Sequence, residues 1–261
     1  MGLFPLFGPK LPIDGEELEF QLATFKWLLR EFGEPAQDGL ITPTPDFFPS
    51  DGRRGVEALF EEVRAAAGMS DWPCELRPYA PETNEDGEEI EPSTTVEGPD
   101  GPVAIVHYRP DLEDDAQATV ALIAYQLAQY LMADTAATPP GGRELVALHA
   151  ELAATYLGFG PFLANSARNY RQSGEARLST WSMRTQGTLS EGALVTALVI
   201  VERLCGRDPM TAAPHLKPYL ESVLEQATKA LAKAHPDMRV AVEAVDLAQF
   251  GATCTDAPGS G

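Results

Sequence analysis

The architecture of this chain turns on Val103-Ala-Ile-Val-His-Tyr108 followed, after Pro110 and a short acidic connection, by Ala118-Thr-Val-Ala-Leu-Ile-Ala-Tyr125-Gln126-Leu-Ala-Gln129-Tyr-Leu-Met132. The first run is rich in β-favouring residues and bounded by Pro102 and Pro110, which predicts a strand. In the second, Val120, Ile123, Ala124, Leu127, Ala128 and Leu131 recur at helical spacing and predict one buried stripe on a helix over residues 112–133. Tyr125 and Gln129, one turn apart, share another face of it.

Working outward, residues 75–79 read as a second strand. Residues 14–32 read as a helix capped by Asp14, with Glu16 and Glu17 in its first turn and Leu18, Leu22, Phe25, Leu29 and Phe32 on one side. Residues 41–49 carry too many prolines for either element and predict an extended segment pinned by Phe47 and Phe48, after which residues 54–67 form a helix closed by Gly68. Between the strands, residues 80–101 form an acidic insertion in which Glu82, Glu85, Asp86, Glu88, Glu89 and Glu91 surround Gly87. That pattern predicts a solvated loop, and it lacks the carboxylate spacing of an EF-hand. Downstream the chain reads as helical over residues 143–157, 161–171, 190–205 and 214–234, with breaks at 138–142, 158–161, 172–174, Gly187 and Gly206.

The expected fold is therefore α+β and mostly helical, a small β-sheet preceding a helical layer. Residues 1–40 are expected to form an N-terminal helical segment, 41–250 a single domain and 251–261 a flexible tail. A length of 261 residues with 44% hydrophobic content can fill a core without covalent staples. Cys74, Cys205 and Cys254 form no C-x-x-C pair and suit neither a disulfide framework nor a cysteine metal site. With no signal-like or membrane-spanning run either, a cytoplasmic location is expected. A net charge of −20 disfavours nucleic acid and anionic lipid as partners.

The strand-then-helix order with Tyr125-Gln126-Leu-Ala-Gln129-Tyr resembles the active-site helix of the gluzincin superfamily of zinc metallopeptidases, whose motif is H-E-x-x-H. Glu144-Leu-Val-Ala147-Leu-His149-Ala-Glu151 resembles that superfamily's second helix. The runs Leu157-Gly-Phe-Gly160 and Phe162-Leu-Ala-Asn-Ser166, with Thr42-Pro-Thr-Pro-Asp-Phe-Phe-Pro49 and Gly187-Thr-Leu-Ser-Glu191, resemble a bacterial family of zincin-like proteins over residues 40–207. The resemblance implies a zincin-like fold and places Tyr125 and Gln129 at two zinc-ligand positions, Gln126 at the general base, Ala147 at the third ligand and Glu151 at a downstream acid.

A phenol and two amides are poor substitutes for imidazoles and a carboxylate, so the resemblance implies a site without metal or cofactor and a pseudoenzyme rather than a hydrolase. Glu151 is expected to hydrogen-bond Tyr125 or Gln129. Three roles follow. The first is non-catalytic binding of a peptide or protein, with Val103–Tyr108 as an edge strand open to strand addition. The second is a hydrolase using a non-standard metal or acid–base site around Glu144, His149 and Glu151. The third is a helical interaction or immunity-type protein unrelated to peptidases, which the absence of a strand before the helix over residues 112–133 would favour.

Overall fold

The computed structural model describes residues 10–35, 39–43, 55–79, 94–97, 103–112, 115–167 and 189–255. Most of the acidic insertion, Phe47 and Phe48, and the breaks expected at residues 172–174 and Gly187 lie outside that set. Within it the chain is α+β and mostly helical. The helices are α1 (Gly15–Phe32), α2 (Val56–Ala66), α3 (Ala116–Ala133), α4 (Val146–Ala154), α5 (Gly160–Ser166), α6 (Glu191–Leu204), α7 (Pro218–Ala234) and α8 (Met238–Glu243), and the strands are β1 (Cys74–Pro78), β2 (Thr95–Glu97) and β3 (Val103–Tyr108). Among the described residues no helix is long and apolar enough to cross a membrane.

Capping chemistry sets where the main helices start. The Asp14 carboxylate accepts from Glu17 N at 2.9 Å, Asp115 from Ala118 N at 3.0 Å and the Ser190 hydroxyl from Ala193 N at 3.0 Å. Each bond satisfies an N–H that the helix leaves orphaned and contributes about 1 kcal/mol. The cap at Asp115 starts α3 at Ala116 rather than at residue 112, and Pro110–Leu112 becomes a separate 3-10 turn.

α3 is the centre of the molecule. It packs on α2 and β3, and also on α4 and α5. The single buried stripe expected of it is therefore too narrow: Thr119, Ala121, Leu122, Gln126, Tyr130 and Met132 are buried as well, while Leu131 is only partly so. A helix covered on opposite sides is apolar nearly all round.

In the sheet, β3 lies between parallel β1 and antiparallel β2. This corrects the expectation that Val103–Tyr108 is an edge. Its Ala104, Ile105 and Val106 are all buried, the unbroken apolar run of a strand covered on two faces. Among the described residues the edges of the sheet are β1 and β2.

The core reaches beyond residues 41–250. Phe25, Trp27 and Leu28 of α1 have no exposed surface, and α1 packs on α4 and α8. Lys26 Nζ closes the end of α8 by donating to Glu243 O at 2.6 Å and Val245 O at 2.7 Å. Residues 251–255, expected in the tail, are docked: Trp27 Nε1 donates to Thr253 O at 3.0 Å, and Thr253 N donates to Thr138 O at 2.9 Å.

Between α4 and α5 the chain makes a π turn, Thr155–Phe159, in which Gly158 adopts φ 102° and ψ 0°. Its carbonyl accepts from Ile41 N at 3.2 Å, and a Cβ there would lie 3.2 Å from Ile41 Cδ1. Gly158→Ala combines a left-handed backbone with that close contact, so urea unfolding should show a loss of about 1–3 kcal/mol.

Candidate functional site

Successive β3 residues turn their backbone groups to opposite neighbours. Ala104 N donates to Pro73 O at 2.9 Å and Tyr108 O accepts from Tyr79 N at 2.7 Å, both on the β1 side. His107 has the other parity and faces the β2 side. There β2 has already ended, because its first residue, Thr95, pairs with Ile105. The Gln126 side chain supplies the missing partner: its Oε1 accepts from His107 N at 2.7 Å and its Nε2 donates to His107 O at 2.6 Å. A third bond runs from Nε2 to Leu122 O at 3.3 Å. Gln126 is wholly buried, and its amide acts as a short piece of strand.

Gln129, one turn on, works in the same direction. Its Oε1 accepts from Thr94 N at 3.0 Å, and its Nε2 donates to Tyr125 Oη at 3.1 Å. Thr94 Oγ1 in turn donates to Gln126 O at 2.7 Å. The lead-in to β2 is thus tied to α3 at two points. Tyr125 and Gln129 are partly buried. The pair of amides and the phenol braces a sheet edge to a helix.

The second-helix residues separate. Glu144 is exposed in the 3-10 turn Arg143–Leu145, and Ala147 is half-buried on α4. Glu151 is buried, and its Oε2 accepts from Leu189 N at 2.6 Å just ahead of α6, which corrects the expectation of a bond to Tyr125 or Gln129. Two residues beyond His149 is about 200° of helix rotation, so the acid faces away from the His149 side. Among the described residues no three His, Cys, Asp or Glu side chains are placed to hold a metal ion. The phenol and amides at the implied ligand positions do not fit zinc either, since they offer neither imidazole nor carboxylate.

His149 is brought near the motif instead. It and Gln129 line one cavity between α3 and α4, together with Trp27, Met132 and Val146. Its ring has no exposed surface, and Nε2 lies 2.8 Å from Pro140 O. A carbonyl only accepts, so the neutral ring carries its proton on Nε2, toward Pro140 O. Burial lowers its pKa from the ordinary 6.5 to about 4, against the opposing pull of the Pro140 and Leu145 carbonyls and the Glu144 carboxylate.

Thr94 was not legible as a functional residue, because it sits in a stretch whose acidity reads as loop. His107 acts through its backbone, which no side-chain pattern signals. Comparisons with protein-family models, with curated proteins and with solved structures return no match.

A folded-state pKa below the unfolded one means that the folded chain binds fewer protons. The contribution of neutral His149 is complete above pH 6.5 and is lost as pH falls from 6.5 to about 4. The unfolding free energy of the wild type should drop by about 3 kcal/mol more than that of His149→Gln across this window, measured by urea titration at each pH.

Proposed function

We propose that the chain is a non-catalytic zincin-like protein, a pseudo-metallopeptidase that binds a peptide or protein partner in the cytoplasm instead of hydrolysing it. The observation that carries this reading is the use made of the motif itself. At the position of the general base, Gln126 is spent on the backbone of His107, and at a ligand position Gln129 is spent on Thr94 and Tyr125. None of these groups is left to activate water. The strand β3 leading into α3, and the packing of α4 against α3, support the zincin-like framework and disfavour a purely helical scaffold. The hydrolase reading around Glu144, His149 and Glu151 has no such support, since the three side chains face different surroundings. Cys74, Cys205 and Cys254 are all free thiols, in keeping with a reducing compartment.

Restoring the ligands tests the framework. The variant Tyr125→His/Gln129→His/Ala147→Glu should bind one zinc per chain, whereas the wild type purified without chelator should carry only a small fraction of an equivalent. Metal content is read by mass spectrometry and folding by circular dichroism. Stoichiometric metal on the wild type would contradict the pseudoenzyme, and a folded variant that ignores zinc would contradict the zincin framework.

A further inference from the structure

Of the two sheet edges among the described residues, β2 has three residues and β1 has five. The hydrogen bonds of β1 show which of its backbone groups are committed. Pro73 O accepts from Ala104 N at 2.9 Å, and Tyr79 N donates to Tyr108 O at 2.7 Å. Backbone direction alternates along a strand, so Pro73, Glu75, Arg77 and Tyr79 bond β3, while Cys74, Leu76 and Pro78 turn outward. The outward groups are the N–H of Cys74 and Leu76 and the C=O of Cys74, Leu76 and Pro78. Among the described residues none of them meets a hydrogen-bond partner. The side chains alternate too. Cys74 and Leu76 pack against the core, while Glu75 and Arg77 stand on the opposite face, paired with each other at 2.9 Å and with 58% and 46% of their side chains exposed.

A row of unpaired backbone groups is a template for another strand. Charge selects a second copy of this same strand, and selects its register. Two antiparallel arrangements about a two-fold axis make the same number of backbone hydrogen bonds. Centred on Leu76, the two Leu76 residues exchange a pair of bonds, and each Cys74 N–H meets the other copy's Pro78 O. Centred on Glu75, each Cys74 exchanges bonds with a Leu76 of the other copy. The first arrangement places each Glu75 directly opposite an Arg77, with Cα atoms about 4.5 Å apart as in a non-hydrogen-bonded pair. The second sets the two Glu75 carboxylates against each other. Pro78, which has no N–H to offer, stops the ladder from running on and keeps the pairing short. The net charge of −20 on each copy opposes association at long range, but physiological salt screens that repulsion beyond about 8 Å and leaves the local pairs to decide.

We propose that the β1 edge is a surface for self-association, through which two copies join along Cys74–Pro78 about a two-fold axis at Leu76. The two sheets then run on as one, in the order β2-β3-β1-β1-β3-β2, and the longer edge of each copy is closed. A single short strand per copy buries little area, so the dimer is weak and reversible. The inference goes beyond the peptidase resemblance and is independent of it, because it uses no residue of the degenerate motif.

Sedimentation equilibrium of the full chain at about 0.15 M salt should show a monomer–dimer equilibrium across a concentration series, with exchange of the Leu76 amide slowing as the dimer fills. Glu75→Arg and Arg77→Glu alter exposed side chains, and circular dichroism should find both variants folded. Each should raise the dimer dissociation constant about tenfold, since it turns both attractive cross-strand pairs into repulsive ones. Mixing the two variants restores opposite charges at every pair, so the mixture should form a heterodimer as tight as the wild-type dimer although neither variant self-associates well. A wild type that stays monomeric throughout, or a dimer insensitive to both substitutions, overturns the surface. A mixture of the two folded variants that fails to associate overturns the register.

Discussion

The buried amide of Gln126 pins β3 to α3. Strand β2 runs out opposite Ile105, yet the backbone of β3 continues to partly buried His107, whose N–H and C=O face α3. Gln126 answers both groups from α3 at 2.7 and 2.6 Å. Leaving either unmet costs about 1–3 kcal/mol. Helix and strand are therefore fixed in register by chemistry specific to a side-chain amide, because a carboxylate could only accept and an alkyl chain could do neither. Gln129 extends the same logic to Thr94, so two neighbouring amides on α3 secure β3 and the lead-in to β2.

Elsewhere the interior meets its polar obligations in similar ways. Glu202 is almost wholly buried in α6 and is held by the Arg207 guanidinium at 2.7 and 2.9 Å. Glu151 meets the start of α6, and Lys26 the end of α8. Breaking one partner of such a buried charged pair costs about 3–5 kcal/mol, which makes these contacts strong determinants of one arrangement.

Much of the fold was legible. The Asp14 cap and the apolar periodicity of α1, the helices expected over residues 190–205 and 214–234, and the β-rich run of β3 are local signals that the structure keeps. The errors arise where tertiary context decides. Val103–Tyr108 was read as an edge although its unbroken apolar sequence already implied cover on both faces, and β2 was missed because a three-residue strand inside an acidic insertion has no pattern of its own. At the site, pairing Tyr125 with Gln129 needed only helical spacing. The partners of Gln126 and Gln129 are backbone groups on β3 and beside Thr94, and Glu151 meets Leu189 across a long sequence gap, so none of these could be read from side-chain motifs.

The most direct test of the amide brace is the urea unfolding of Gln126→Glu at neutral pH, with peptide hydrolysis assayed on the same protein. The account predicts a loss of about 3 kcal/mol or more, because the new carboxylate cannot donate to His107 O and brings a buried charge, and it predicts no hydrolysis. Unchanged stability, or the appearance of metal-dependent cleavage, would show that this side chain faces a reaction centre and not the strand.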